Sequence, residues 1–155
     1  MGALTVQLPA ARGATVIATA CPGAEADFVT ALTGAWVHLV DFTGDLDTQV
    51  RAIAPGGVDA VPHLAGDPAQ LAALLRPGGR IASTFGFGPD DTGQDFTAHS
   101  VIASANPQTL ATLADHAATG ALRVPVTATY TLEQAPAAFA AFGRGALGKL
   151  AVTCS

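Results

Sequence analysis

Short apolar runs rich in β-branched residues alternate with helix-length amphipathic stretches along most of this chain. That alternation limits its fold more than any other feature. Residues 14–20 read as a strand and are followed by a helical face of Ala24, Phe28, Ala31 and Leu32. Residues 36–40, opening on Trp36, form a second strand. Leu46, Val50, Ile53 and Ala54 then recur at helical spacing until Pro55-Gly56-Gly57 stops them. Residues 58–61 give a brief strand that Pro62 interrupts. Leu71, Leu74 and Leu75 mark a helix closed by Pro77-Gly78-Gly79, and residues 80–85 form a strand that runs into a polar, glycine-rich loop reaching Asp95. A strand over 99–104 precedes a helix carrying Leu110, Leu113, Ala114 and Ala117, with Asn106 as its N-cap and Gly120 at its end. The tail alternates over 122–130, places Leu132, Ala135, Phe139 and Phe142 on one helical face, and ends as a strand over 147–154. Continuously apolar strands joined by helices point to a mostly parallel sheet with helices on both faces. No linker or tandem repeat divides the chain.

Composition narrows the partners. The 155 residues suit one domain, and 50% of them are apolar against 12% charged. No apolar run approaches the ~18–20 residues of a membrane span, so no membrane partner is expected. The surplus belongs to a buried sheet or an interface, or reflects an alanine-rich composition. A net charge of −5 without a Lys/Arg cluster argues against nucleic acid. Residues 1–20 lack a secretory signal pattern, so the expected compartment is the cytoplasm.

Chemistry-bearing residues do not nominate a catalytic set. Cys21 and Cys154 hold no metal-ligand spacing with His38, His63, His99 or His116, so no metal is expected, and both read as small buried residues near strand ends rather than a disulfide. His63, His99 and His116 could act as acids or bases with Asp41, Asp59, Asp67 or Asp95, but no spacing selects a pair. Ser83 and Ser104 lack a nucleophile-elbow context. The catalytic residues are therefore unassigned.

The stretch GALTVQLPAARGATVIATA at residues 2–20 resembles the segment after the glycine turn of medium-chain dehydrogenases/reductases, in particular their zinc-independent quinone oxidoreductase branch. Gly34-Ala35, Pro55-Gly56-Gly57-Val58-Asp59, LLRPGGRIASTFG at 74–86, Leu132-Glu133-Gln134-Ala135 and Gly148-Lys149-Leu150 follow in that family's order. The resemblance implies an α/β, Rossmann-like fold lacking the usual first strand, with residues 1–155 a single incomplete dinucleotide-binding domain and the catalytic domain outside this sequence. It also implies a gap in the sheet. Buried, unpaired ladder groups cost about 1–3 kcal/mol each against a total stability of ~5–15 kcal/mol, so either the sheet rearranges or another chain covers the gap. A homodimer or a complementing chain is the expected partner. Two readings of Met1 stay open: the start of a shortened product, or an internal residue of a longer parent.

By the same resemblance, Gly2 is the last glycine of the phosphate-binding turn, where helix and strand pack closely. Thr19 and Cys21 face the adenosine ribose, Ala65 and Gly66 the adenosine side, and Phe85 and Gly86 the nicotinamide. The cofactor implied is NADPH. However, Glu25 stands near the position where the branch carries a lysine for the 2′-phosphate, and a carboxylate there repels it. Pro9 opposes a regular helix over the first residues. Three functions fit: the nucleotide-binding portion of an NAD(P)H-dependent quinone oxidoreductase-like enzyme, a non-redox homodimeric module holding a small molecule or partner, or a cyclase or isomerase reusing the cleft.

Overall fold

Every strand pairing in the computed structural model is parallel, and within each pair a connecting segment rather than a tight hairpin joins the strands. The structure describes residues 1–33, 37–88, 95–104 and 106–154. Gly34, Ala35 and Trp36, and residues 89–94 of the polar loop, lie outside them.

The elements run α1 (Gly2–Thr5), α2 (Gln7–Ala10), β1 (Val16–Thr19), α3 (Ala24–Thr33), β2 (Val37–Val40), α4 (Leu46–Ile53), β3 (Val58–His63), α5 (Pro68–Ala72), β4 (Leu75–Ser83), β5 (Thr97–Ser100), α6 (Pro107–Ala118), β6 (Val126–Thr131), a 3-10 turn (Leu132–Gln134), α7 (Ala135–Gly143) and β7 (Lys149–Thr153). The strands form separate ladders, β1-β2, β3-β4-β5 and β6-β7. Among the described residues no ladder joins β1 to β3, so the single sheet expected from the sequence is divided at the position where the resemblance implied a missing strand.

Side chains bridge what hydrogen bonds do not. Leu46 and Val50 of α4 are buried with Val40 and Leu74, and Ile17 of β1 and Val58 of β3 pack against the same cluster. A second cluster joins Ala18, Ala20 and Val29 with Val6, Phe28 and Val37. The third gathers Ala72, Ile81 and Ala98 with Val61, Leu75 and Phe96. The first residues are tied to the tail as well: the Gln7 side chain accepts from Arg123 N at 2.8 Å and donates to Arg123 O at 2.9 Å.

Several boundaries differ from the sequence expectation. The opening helix is two short pieces, and α1 ends at Thr5, whose carbonyl would need the N–H that Pro9 lacks. The buried stripe of α3 centres on Val29, with Ala26 and Phe28 beside it, while Ala24 and Ala31 are exposed. Helix α5 stops at Ala72, so Leu74 and Leu75 lie beyond it. Pro77-Gly78-Gly79 is a bulge inside β4 rather than a helix terminator: β3 steps from Val58 to Ala60 while β4 steps from Leu75 to Arg80. Pro62 does not interrupt β3. Thr84 N donates to the carbonyl of His63, so the main chain of His63 faces β4. The main chain of Pro62 then faces the open edge, where its missing donor breaks no rung. β5 begins at Thr97 and ends at Ser100 because its partner β4 ends at Ser83. Cys154 is exposed and Cys21 half-buried, against the expectation that both are buried, and both are free thiols.

The Asn106 cap is made as the sequence suggests, and the structure adds another at Asp45. Asn106 accepts from Thr109 N to start α6, and Asp45 accepts from Thr48 N and from the Thr48 hydroxyl to start α4. The hydroxyl and then the N–H hold the Asp45 carboxyl below its ordinary value. A depressed folded value means that this stabilisation is complete above the unfolded Asp value of ~3.9 and is lost as pH falls through the folded one. Asp45→Asn keeps an accepting oxygen without the charge. Acid unfolding of this variant, followed by circular dichroism, should show a shallower low-pH limb than the parent chain.

A different end of the molecule is left open. Leu110 and Leu113 of α6, Leu132 of the 3-10 turn, Phe139 and Phe142 of α7, and Val126 and Val152 on the β6-β7 ladder are all exposed, Phe139 at 77%. The helix buries Ala138 instead of the expected face, so Phe139 and Phe142 stay exposed and Ala135 is only partly covered.

Candidate functional site

The parallel strands β3 and β4 end beside residues that the sequence singles out. In such sheets ligands lie outside these ends, because the loops that leave them carry unpaired main-chain donors. β3 ends at His63 and β4 at Ser83, two residues that are direct neighbours in register. His63 is 2% exposed and Ser83 0%.

Each loop is tied to this pair. His63 Nδ1 lies 2.8 Å from Ser83 Oγ, and Nε2 lies 3.2 Å from Gly66 O. Phe85 N donates to Ser83 Oγ at 3.0 Å. The Phe85 ring lies beside the imidazole, tilted by 45° with centroids 5.7 Å apart, while remaining 69% exposed. Gly66 and Gly86 both have φ above +80°, so each loop turns away in a conformation that favours glycine. Among the described residues a Cβ built on either would meet nothing within 4 Å, which leaves room beside both turns. The structure thus brings Ala65, Gly66, Phe85 and Gly86 together through His63 and Ser83.

The end of β1 has a different character. Thr19 is exposed, and Ala20 N still donates to Val40 O. Cys21 N donates to Glu25 Oε2 at 2.7 Å, so the donor at the strand end already holds a carboxylate. Burial first, then Glu25 and Asp41, push the Cys21 thiol above its ordinary value. Asp41 itself accepts from the Thr43 hydroxyl and N–H, which hold its carboxyl below the ordinary value. Gly2 opens α1, exposed, and a Cβ there would meet nothing within 4 Å. The close helix–strand contact expected at Gly2 is therefore not made, because no strand lies against it among the described residues.

The other acid–base candidates stand apart. Asp59 pairs with Arg76, Asp67 caps α5, His99 is exposed on β5, and His116 belongs to the last turn of α6. Among the described residues no group of three or more His, Cys, Asp or Glu could hold a metal ion. Two open clefts of about 380 and 310 Å³ lie elsewhere, one beside Leu75 and Pro77 at the amino end of β4, the other between α2, Thr33 and Arg123. Sequence reasoning treated Ser83 only as a rejected nucleophile and missed its partnership with His63. The available signal was two polar residues closing two consecutive apolar strands.

A family model described as zinc-binding dehydrogenase matches residues 34–152. Among solved structures, the chain resembles an NAD-dependent alcohol dehydrogenase at 24% identity and a TM-score of 0.81, covering 99% of this chain and 48% of that one. The quinone oxidoreductase of Pseudomonas syringae pv. Tomato DC3000 matches at 23% identity and a TM-score of 0.78, covering 99% and 53%. That of Coxiella burnetii matches at 24% and 0.79, covering 98% and 49%. The chain therefore spans about half the length of these proteins. No curated protein sequence matches it at a significant level.

Proposed function

Because the chain belongs to the zinc-binding dehydrogenase family, within the medium-chain dehydrogenase/reductase superfamily, we propose that it is the nucleotide-binding portion of an oxidoreductase of the quinone oxidoreductase-like, zinc-independent branch. One observation carries the reading. Two positive-φ glycine turns, each with room beside it, stand at the carboxyl ends of adjacent parallel strands. Ala65 and Gly66 would hold the adenosine side of an NAD(P)H, and Phe85 and Gly86 the nicotinamide side. Thr19 and Cys21 would face the adenosine ribose, and Gly2 would belong to the phosphate-binding turn. When bound, the cofactor supplies the hydride. The chain's own residues bind and orient it, and the substrate-binding half is supplied by segments beyond these residues or by another chain. The described donors do not form a zinc site, so no step is assigned to that metal.

The cofactor itself is proposed as NADPH on resemblance, against the Glu25 carboxylate at the end of β1, which opposes a 2′-phosphate. Calorimetric titration with NADPH and NADH tests the cradle directly. Saturable binding of either supports the reading, and millimolar or absent binding of both reduces the oxidoreductase assignment to ancestry.

A second reading is favoured by the exposed apolar faces of α6, α7 and β6-β7. In it the chain is a non-redox module, homodimeric or completed by another chain, that holds a small molecule or reuses the cleft for isomerisation or cyclisation. We propose such a partner under either reading, because the open edges of β1 and β3 and these faces both need cover. Light scattering after size exclusion should show a dimer, and a stable dilute monomer would count against it. Among the described residues no helix is long and apolar enough to cross a membrane, and a cytoplasmic location is part of the proposal.

A further inference from the structure

The buried pair at the ends of β3 and β4 has a definite hydrogen-bond direction. Gly66 O can only accept, so His63 Nε2 carries the proton in that contact. In the neutral ring Nδ1 then holds a lone pair and receives the Ser83 hydroxyl hydrogen. Ser83 Oγ still has an acceptor position free, and it takes the N–H of Phe85. The chain of donors runs without a gap from the main chain of one loop, through two side chains, to the main chain of the other. Neither side chain touches solvent appreciably, so water cannot replace a broken link at little cost.

We propose that His63 is a positioning residue that locks the loop after β3 to the loop after β4, so that the shelf they form is set before any ligand arrives. The ligand side of this inference rests on the nucleotide reading above, whereas the lock itself does not. Pre-setting matters because ordering two loops at the moment of binding would weaken affinity. It also explains a histidine where a purely apolar strand end would bury more easily: a ring with two nitrogens on opposite sides spans the distance between a β4 hydroxyl and a β3-loop carbonyl.

Two variants dissect the lock. Ser83→Ala removes the central hydroxyl without touching residues 64–67. His63→Asn keeps an oxygen close to the place of Nδ1 and loses the reach to Gly66 O. Hydrogen exchange read by NMR on the full chain should show Ser83→Ala accelerating exchange about tenfold in both 64–67 and 84–88, with α4 unchanged. His63→Asn should loosen 64–67 while leaving Phe85 N–H protected. The ring nitrogens of His63 in the parent chain should show the proton on Nε2, and this signature should shift in Ser83→Ala. Acceleration confined to 84–88 in Ser83→Ala, or a proton on Nδ1 in the parent chain, overturns the proposal. If Ser83→Ala does not fold, the asymmetric pattern in His63→Asn and the ring signature decide it. Titration of the parent chain with NADPH and with NADH is a separate arm. Absence of binding of both with the exchange pattern intact removes the nucleotide reading and leaves the lock standing. Binding of either cofactor with uncoupled loops does the reverse.

Discussion

Leu46→Ala should destabilise the chain by about 2–5 kcal/mol, a large share of the ~5–15 kcal/mol available to a domain. Leu46 is 5% exposed on α4 and packs with Val40, Val50 and Leu74, while Ile17 from β1 and Val58 from β3 reach the same cluster. In an unbroken sheet, loss of such a side chain leaves a cavity that the strands around it still frame. Here no ladder joins β1 to β3 among the described residues, so the apolar cluster beneath α4 links the β1-β2 pair to the β3-β4-β5 sheet. The cost therefore falls on the upper part of the usual range, and unfolding should lose cooperativity as the two ladders part. Urea denaturation followed by both circular dichroism and tryptophan fluorescence checks this. Coincident transitions with a shift under about 1 kcal/mol would mean that α4 is not the bridge, since buried leucines elsewhere cost more.

The same division explains which parts of the fold were legible in the sequence. The α4 stripe of Leu46, Val50 and Ile53 was readable because one amphipathic face meets one buried surface, and Asn106 was readable because an N-cap is a local device. The end of α5 was not. Leu74 and Leu75 continue a helical spacing, but Leu75 is recruited into β4 by Val58, a partner far away in sequence. The 77–79 turn was assigned to a helix end for the same reason, whereas it relieves a mismatch in register between two strands. Pro62 was misread as a strand breaker because its harmlessness depends on the neighbouring edge being open.

Legibility of the candidate site follows a similar rule. Glycines after apolar strands announced both loops, since positive φ at Gly66 and Gly86 is a local demand. The tie between the loops was hidden, because His63 and Ser83 meet only through strand register. The resemblance placed Glu25 near the end of β1. Its occupation of Cys21 N was not legible, because that depends on how α3 turns back over the end of β1. The carboxylate fills the main-chain donor at the end of β1, so that donor is already engaged.

Gly57→Ala should rival the loss of Leu46 by a different physical route. Gly57 has φ +91°, a region that costs a side-chain-bearing residue about 1–2 kcal/mol. A Cβ there would also lie 2.7 Å from Arg76 N and 2.9 Å from Leu74 O, both main-chain atoms that cannot swing aside. Leu74 O is the acceptor for Val58 N, the rung that opens the β3-β4 ladder, so relieving the clash breaks a hydrogen bond as well. Overpacking of this kind adds about 1–3 kcal/mol, giving a combined loss of about 2–5 kcal/mol. The neighbouring Gly56 supplies the control, because a Cβ there meets nothing within 4 Å and its φ is not in the positive range. Gly56→Ala should stay within about 0.5 kcal/mol of the parent chain. Urea midpoints of the two variants, measured side by side, test the packing of this turn against the bulge in β4. Equal midpoints would show that the 76–79 bulge moves freely, and β3 would then not be anchored at its start.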